Sequence, residues 1–225
     1  MFHAALRVMI VLPLSGLLAL AGCAGGPGAG PATQPAGVTQ GVGADASVGL
    51  AAQSRDRDAQ AGQVARLEQA ILALGPGVDP EEAARAARSA YRNTRELARA
   101  YQITDGPLLH NTKVNMGLKP RGLCWHWAMD MEDRLDRERF RTLEIHRAIA
   151  NFNTPFRLQH STAIISRRGD SMYEGIVLDP WREGGELTWL PTGQDTRYDW
   201  YPRLPVLAFK RGEMTAAELY AGTES

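Results

Sequence analysis

The chain is poor in thiols, in uninterrupted apolar sequence and in net charge. Its 225 residues include 2 cysteines, Cys23 and Cys124, and its 25 Lys and Arg balance its 25 Asp and Glu. Without bulk charge of either sign, nothing recommends nucleic acid or an anionic surface as the main partner of the folded part. The longest apolar stretch lies near the start, after Arg7, and Pro13, Ser15 and Gly16 interrupt it. It is too short and broken for a permanent membrane span and reads as a signal peptide over residues 1–22. Between Ala24 and Ser54 charge is scarce too: Asp45 is the single charged side chain among Gly, Ala, Pro, Thr and Gln. Such composition reads as a flexible tether over residues 23–54, with a root-mean-square reach of about 30 Å. Residues 55–225 then suffice for one domain with a core of its own, and no internal repeat divides them.

The apolar stretch ends in Leu20-Ala21-Gly22-Cys23. This resembles the lipobox of exported bacterial lipoproteins. The resemblance implies acylation of Cys23, which becomes the mature N-terminus, and Ala24 after it implies the periplasmic face of the outer membrane. Cys124 is then the only remaining thiol in an oxidising compartment, without a disulfide partner. A solitary cysteine of this kind is either an inert core residue or one kept for its reactivity.

Residues 63–74 place Val64, Leu67, Ile71 and Leu74 on one helical stripe that Gly75-Pro76 ends. Asp79, Pro80, Glu81 and Glu82 form a helix start, and Ala84, Ala87, Tyr91, Thr94, Leu97 and Tyr101 follow at helical spacing. Arg85, Arg88, Arg92 and Arg99 take the wetter side. This helix should end before Asp105-Gly106-Pro107, and a loop should lead to Gly122. There a third helix starts, with Cys124, Ala128, Met131 and Leu135 on one face. Period-two runs follow at 143–150, 158–166 and 172–179, with Arg168-Gly169-Asp170 as the turn between the last two. Helices first and antiparallel strands after them predict an α+β domain.

Cys124 thus falls in the first turn of a helix, where free N–H groups favour a thiolate and can receive an oxyanion. Lys119 and Arg121 add positive charge nearby. Thiolate chemistry on an acyl group needs an imidazole as acid and base, and a group to orient it. His126, two residues further along the same helix, points to the other side. His110 sits in the expected loop and stays open as a candidate, and His146 belongs to the first strand. His160 starts the second strand and Asp179 ends the third. A hairpin turning near Gly169 brings these two roughly opposite one another. Asp179-Pro180 also reads as a turn initiator. The five tryptophans suit core and rim better than a substrate platform.

Gly122-x-Cys124 with Ala128, His160 followed by an apolar run, and the "VLDPW" segment holding Asp179 together resemble the transglutaminase-like branch of the papain-like superfamily. The resemblance covers about residues 118–182. It implies N-terminal helices packed on an antiparallel sheet, with Cys124 as nucleophile, His160 as general acid and base, and Asp179 as orienting carboxylate. It implies no cofactor and no metal, and a protein or peptidoglycan peptide as substrate. Where peptidases of this kind carry acidic residues after the cysteine, this chain has Trp125 and His126, so a calcium-dependent role is not implied. The "GLCWHWA" stretch also resembles the cysteine box of CHAP-type peptidoglycan amidases. Asn111, Asn115 and Gln159 are the candidate side-chain oxyanion donors. The expectation is an envelope-tethered cysteine enzyme that cleaves or transfers an amide acyl group. Two other readings are a lipoprotein using the same fold as a binding module, and a metal site of His146, His160 and Asp179.

Overall fold

A computed structural model describes residues 42–222. The expected signal peptide, the expected lipidation site Cys23 and the expected tether up to residue 41 lie outside them. The described residues from Ala46 onward group as one unit. Among the described residues, no helix is long and apolar enough to cross a membrane.

The first helix, α1 (Val42–Leu72), starts well before the expected residue 63, so the last part of the proposed tether has a helical backbone. Its alanines at 44, 46, 51 and 52 favour helix despite the neighbouring glycines. Leu67 and Ile71, both fully buried, anchor its C-terminal half in the core. Helix α2 (Pro80–Ala100) starts as its sequence predicts, with Asp79 Oδ1 accepting the N–H groups of Glu81 and Glu82. Glu82 does more than complement the helix dipole. Buried, it accepts hydrogen bonds from Arg141 N, Thr142 N and Thr142 Oγ1 at 2.7–2.8 Å, joining α2 to the chain entering the sheet. The segment expected to be a loop contains a third helix, α3 (Pro107–Asn115), with Pro107 in its first turn. Its weak apolar patterning hid it, since Leu108 and Leu109 face solvent. The Cys124 helix is α4 (Cys124–Asp136).

Strands β1 (Leu143–Ala150), β2 (His160–Arg167), β3 (Ile176–Asp179), β4 (Thr188–Pro191) and β5 (Tyr201–Pro202) form an antiparallel sheet in the order β4-β3-β2-β1-β5. The third expected strand is half as long as its sequence pattern, because Met172–Glu174 form a 3-10 turn. At Gly175 the chain then passes so close to β2 that a Cβ would lie 2.7 Å from Ile165 O. Helices α5 (Arg203–Lys210) and α6 (Ala216–Ala221) end the domain and bury Val206 and Leu219 against Ile149.

Alternation along β2 sorts its side chains to two faces. Ala163 and Ile165 join Leu178 of β3 and the apolar sides of α1, α2 and α4 in the main core. Ile164 faces the other way, with Val177, Ala148 and Ala150, under Tyr198 and Trp200. The domain is therefore α+β, with helices on one sheet face and an aromatic segment on the other.

Candidate active site

Cys124, His160 and Asp179 meet at one end of the sheet. β2 starts at His160, whose neighbour across β1 is Ala150, small enough to leave room for an imidazole. β2 and β3 pair Ala163 with Leu178, which sets Asp179 across from Thr162 rather than His160. The expected direct opposition is thus offset by two residues, because the 3-10 turn lengthens the hairpin. Two residues is one full strand period, so both side chains still emerge on the same face. His160 Nε2 donates to Asp179 Oδ2 at 2.6 Å, and each residue is 1% exposed.

Asp179 is fully committed. Its Oδ1 accepts the backbone N–H groups of Trp181 and Arg182, each at 3.2 Å, and Arg182 Nε donates to Oδ2 at 3.1 Å. Burial alone would raise its pKa, but the imidazole and guanidinium hold it below the usual carboxylate range. Arg182 also bonds both oxygens of Asp195, which accepts the indole N–H of Trp200 at 2.9 Å. Trp181, Tyr198 and Trp200 surround the His160 ring at centroid distances of 4.7, 4.6 and 5.4 Å. Burial opposes protonation of that ring, yet Asp179, and after it hydrogen bonding and charge interaction with Cys124, push its pKa up to about 9.

Nδ1, the other ring nitrogen, is buried and makes no hydrogen bond of ordinary geometry. Cys124, 8% exposed in the first turn of α4, directs its thiol instead to the carbonyl oxygen of Gln159 at 3.6 Å. Sulfur and imidazole are within interaction range of one another.

The approach to Cys124 is held by its own network. Gly122 has φ +124°, and a Cβ there would lie 2.3 Å from His110 Nε2, so only glycine fits. His110 is not in an irregular loop: it is buried in α3, and its Nε2 donates to Arg121 O at 2.8 Å. His126 Nδ1 accepts the N–H groups of Gly122 and Leu123, each at 3.2 Å. Burial, with Arg121 beside it, lowers the His126 pKa and suits this acceptor role. The cations expected beside the thiol serve elsewhere. Arg121 pairs with Asp130 at 2.7 Å, and Lys119 donates to Gln102 O at 2.8 Å.

His146 bonds Ser166 Oγ at 2.8 Å and takes no part in the site, so the arrangement of two histidines and a carboxylate is not formed. Among the described residues, no group of three His, Cys, Asp or Glu side chains is placed to hold a metal ion. Of the candidate oxyanion donors, Asn111 Oδ1 accepts the Trp181 indole N–H at 3.0 Å and Gln159 Oε1 accepts from Lys210 at 2.6 Å. Asn115 ends α3. Trp127, Trp181 and Trp200 are buried, whereas Trp125 is the exposed tryptophan.

Arg182, Asp195 and the aromatic ring around His160 went unnoticed in the sequence. Arg182 follows Asp179 by three residues, a spacing that marks an Asp-initiated turn whose third residue can reach back. Asp195 and Tyr198 carry no comparable local signal. Comparison with protein-family models, with curated proteins and with solved structures returned no match.

Proposed function

We propose that the protein is a cysteine enzyme that cleaves or transfers an amide acyl group, on a transglutaminase-like core of the papain-like kind. The observation that carries this reading is the buried His160 ring, bonded to Asp179 through Nε2, with Nδ1 bonded to no other group and Cys124 within interaction range. A thiolate at Cys124 would give a protonated Nδ1 a full charge-assisted hydrogen bond.

In the first half-reaction the sulfur attacks the amide carbonyl carbon, and the first-turn N–H groups of α4 face the developing oxyanion. His160 Nδ1 gives its proton to the departing nitrogen, the C–N bond breaks and a thioester remains on Cys124. Water or an amine then attacks the thioester carbon and loses a proton to Nδ1, the C–S bond breaks, and the thiolate is restored. Asp179 holds the ring in the required tautomer throughout. Lipid attachment at Cys23 would hold this chemistry at the periplasmic face of the outer membrane, with envelope proteins or wall peptides as substrates.

The test is alkylation by iodoacetamide at neutral pH, with peptide mapping to separate Cys124 from Cys23. We expect Cys124 to react about tenfold faster than in the unfolded chain, and His160→Ala to abolish the advantage. Equal rates in wild type and variant would overturn the proposal. The thiol bond to Gln159 O favours a second reading, a binding module without catalysis. Under that reading a Cys124→Ser strain would keep every phenotype of the wild type.

A further inference from the structure

A groove of about 460 Å³ opens beside the His160 ring, with Trp181 and Tyr198 among its lining residues. Its walls combine two chemistries. Leu108, Leu109 and Leu158 line it and are 53–65% exposed, an unusual concentration of large apolar side chains in solvent. Arg157 and Arg197 supply the charge. Both are exposed, and neither lies within ion-pair distance of a carboxylate among the described residues. Arg157 donates to the backbone oxygen of Arg197 at 3.3 Å, and Arg197 lies over the Tyr198 ring at 5.6 Å from its centroid. These contacts tie the Arg157 guanidinium to the Arg197 backbone and lay the Arg197 guanidinium over Tyr198, so that both arginines belong to one stretch of the lining. No residue lining the groove carries a carboxylate, although Asp and Glu are as frequent as Lys and Arg in the whole chain. The formally charged side chains of the lining are therefore of one sign on a molecule of balanced charge.

We propose that this groove binds a peptide in which a carboxylate lies next to an apolar side chain, the arginines taking the carboxylate and the leucines the apolar group. This assigns a substrate class to the proposed acyl-transfer site and rests on that reading for its catalytic meaning. The groove places such a peptide beside the His160 ring, which forms part of its lining. A wall or envelope peptide rich in acidic residues has the required chemistry, and a basic peptide does not.

The binding test is independent of catalysis. A fluorescent capped peptide alternating leucine and glutamate, and its counterpart with glutamine in place of glutamate, are titrated into Cys124→Ser protein by anisotropy. Two exposed charge pairs predict about tenfold tighter binding of the glutamate peptide at low salt, shrinking as salt is raised. The ratio should fall towards one in Arg157→Gln/Arg197→Gln and return in the double lysine variant. Equal affinity for the two peptides, or a ratio untouched by the double glutamine variant, overturns the proposal. Tighter binding of phosphatidylglycerol vesicles than of the glutamate peptide, through the same arginines, overturns it as well. Loss of all amide turnover by wild-type protein would sink the acyl-transfer reading while leaving this binding result standing.

Discussion

Asp179 divides its two carboxylate oxygens between structure and chemistry. Oδ1 accepts the N–H groups of Trp181 and Arg182 and builds the turn, while Oδ2 accepts the hydrogen bond from His160 Nε2. The turn-initiator reading of this residue is therefore met by the same side chain whose other oxygen makes the bond that the proposed orienting role requires. Asp179→Asn should keep the turn but spoil the imidazole tautomer, with turnover falling about 10²- to 10⁴-fold at nearly unchanged KM. Steady-state kinetics on an amide substrate checks it. Gly122 offers a second test at this scale. Gly122→Ala must displace His110 and release Arg121 O, so chemical unfolding should show about 2–4 kcal/mol of destabilisation and Cys124 alkylation should slow. The residue types of the candidate triad were legible because each sits at the end of a regular element. Arg182, Asp195 and Tyr198 were not, since their roles arise where a late loop folds back over β2, a contact that no local period encodes.

At the scale of elements, the strands with clean alternation or sustained apolar content, β1 and β2, fall close to where the sequence places them. β3 loses its first half because Gly175 passes tightly against Ile165 O, a steric fact invisible in a run of apolar residues. α3 escaped notice because it buries little besides His110. Helix α1 works in the opposite sense: its sequence around 42–54 looks like linker, yet it leads into Leu67 and Ile71 at full burial. Leu67→Ala should cost about 2–5 kcal/mol, read as a lower urea midpoint at unchanged slope.

For the molecule as a whole, the coupled His160–Asp179 pair makes stability depend on pH in two windows. The His160 pKa of about 9 lies above its unfolded value of 6.5. Its contribution is therefore complete below about pH 6.5 and is lost as pH rises through about 9. Asp179 is shifted down, so its contribution is present above about pH 4 and is lost as pH falls through its folded value. Urea unfolding at pH 6, 7.5 and 9.5 should show a declining midpoint in wild type and a flatter one in His160→Gln. Acyl transfer should decline over the same alkaline limb, because the proton donated to the leaving nitrogen is then gone.

The Arg182 bridge has a mechanical consequence. One guanidinium clamps the carboxylate that steers the imidazole and also the aspartate that receives the Trp200 indole N–H, while lying over the Tyr198 ring at 4.8 Å from its centroid. Tyr198, which lines the groove, and the carboxylate that holds the imidazole are thus joined through one buried guanidinium. A ligand resting on Tyr198 would therefore bear on the same guanidinium that holds the carboxylate bonded to the imidazole.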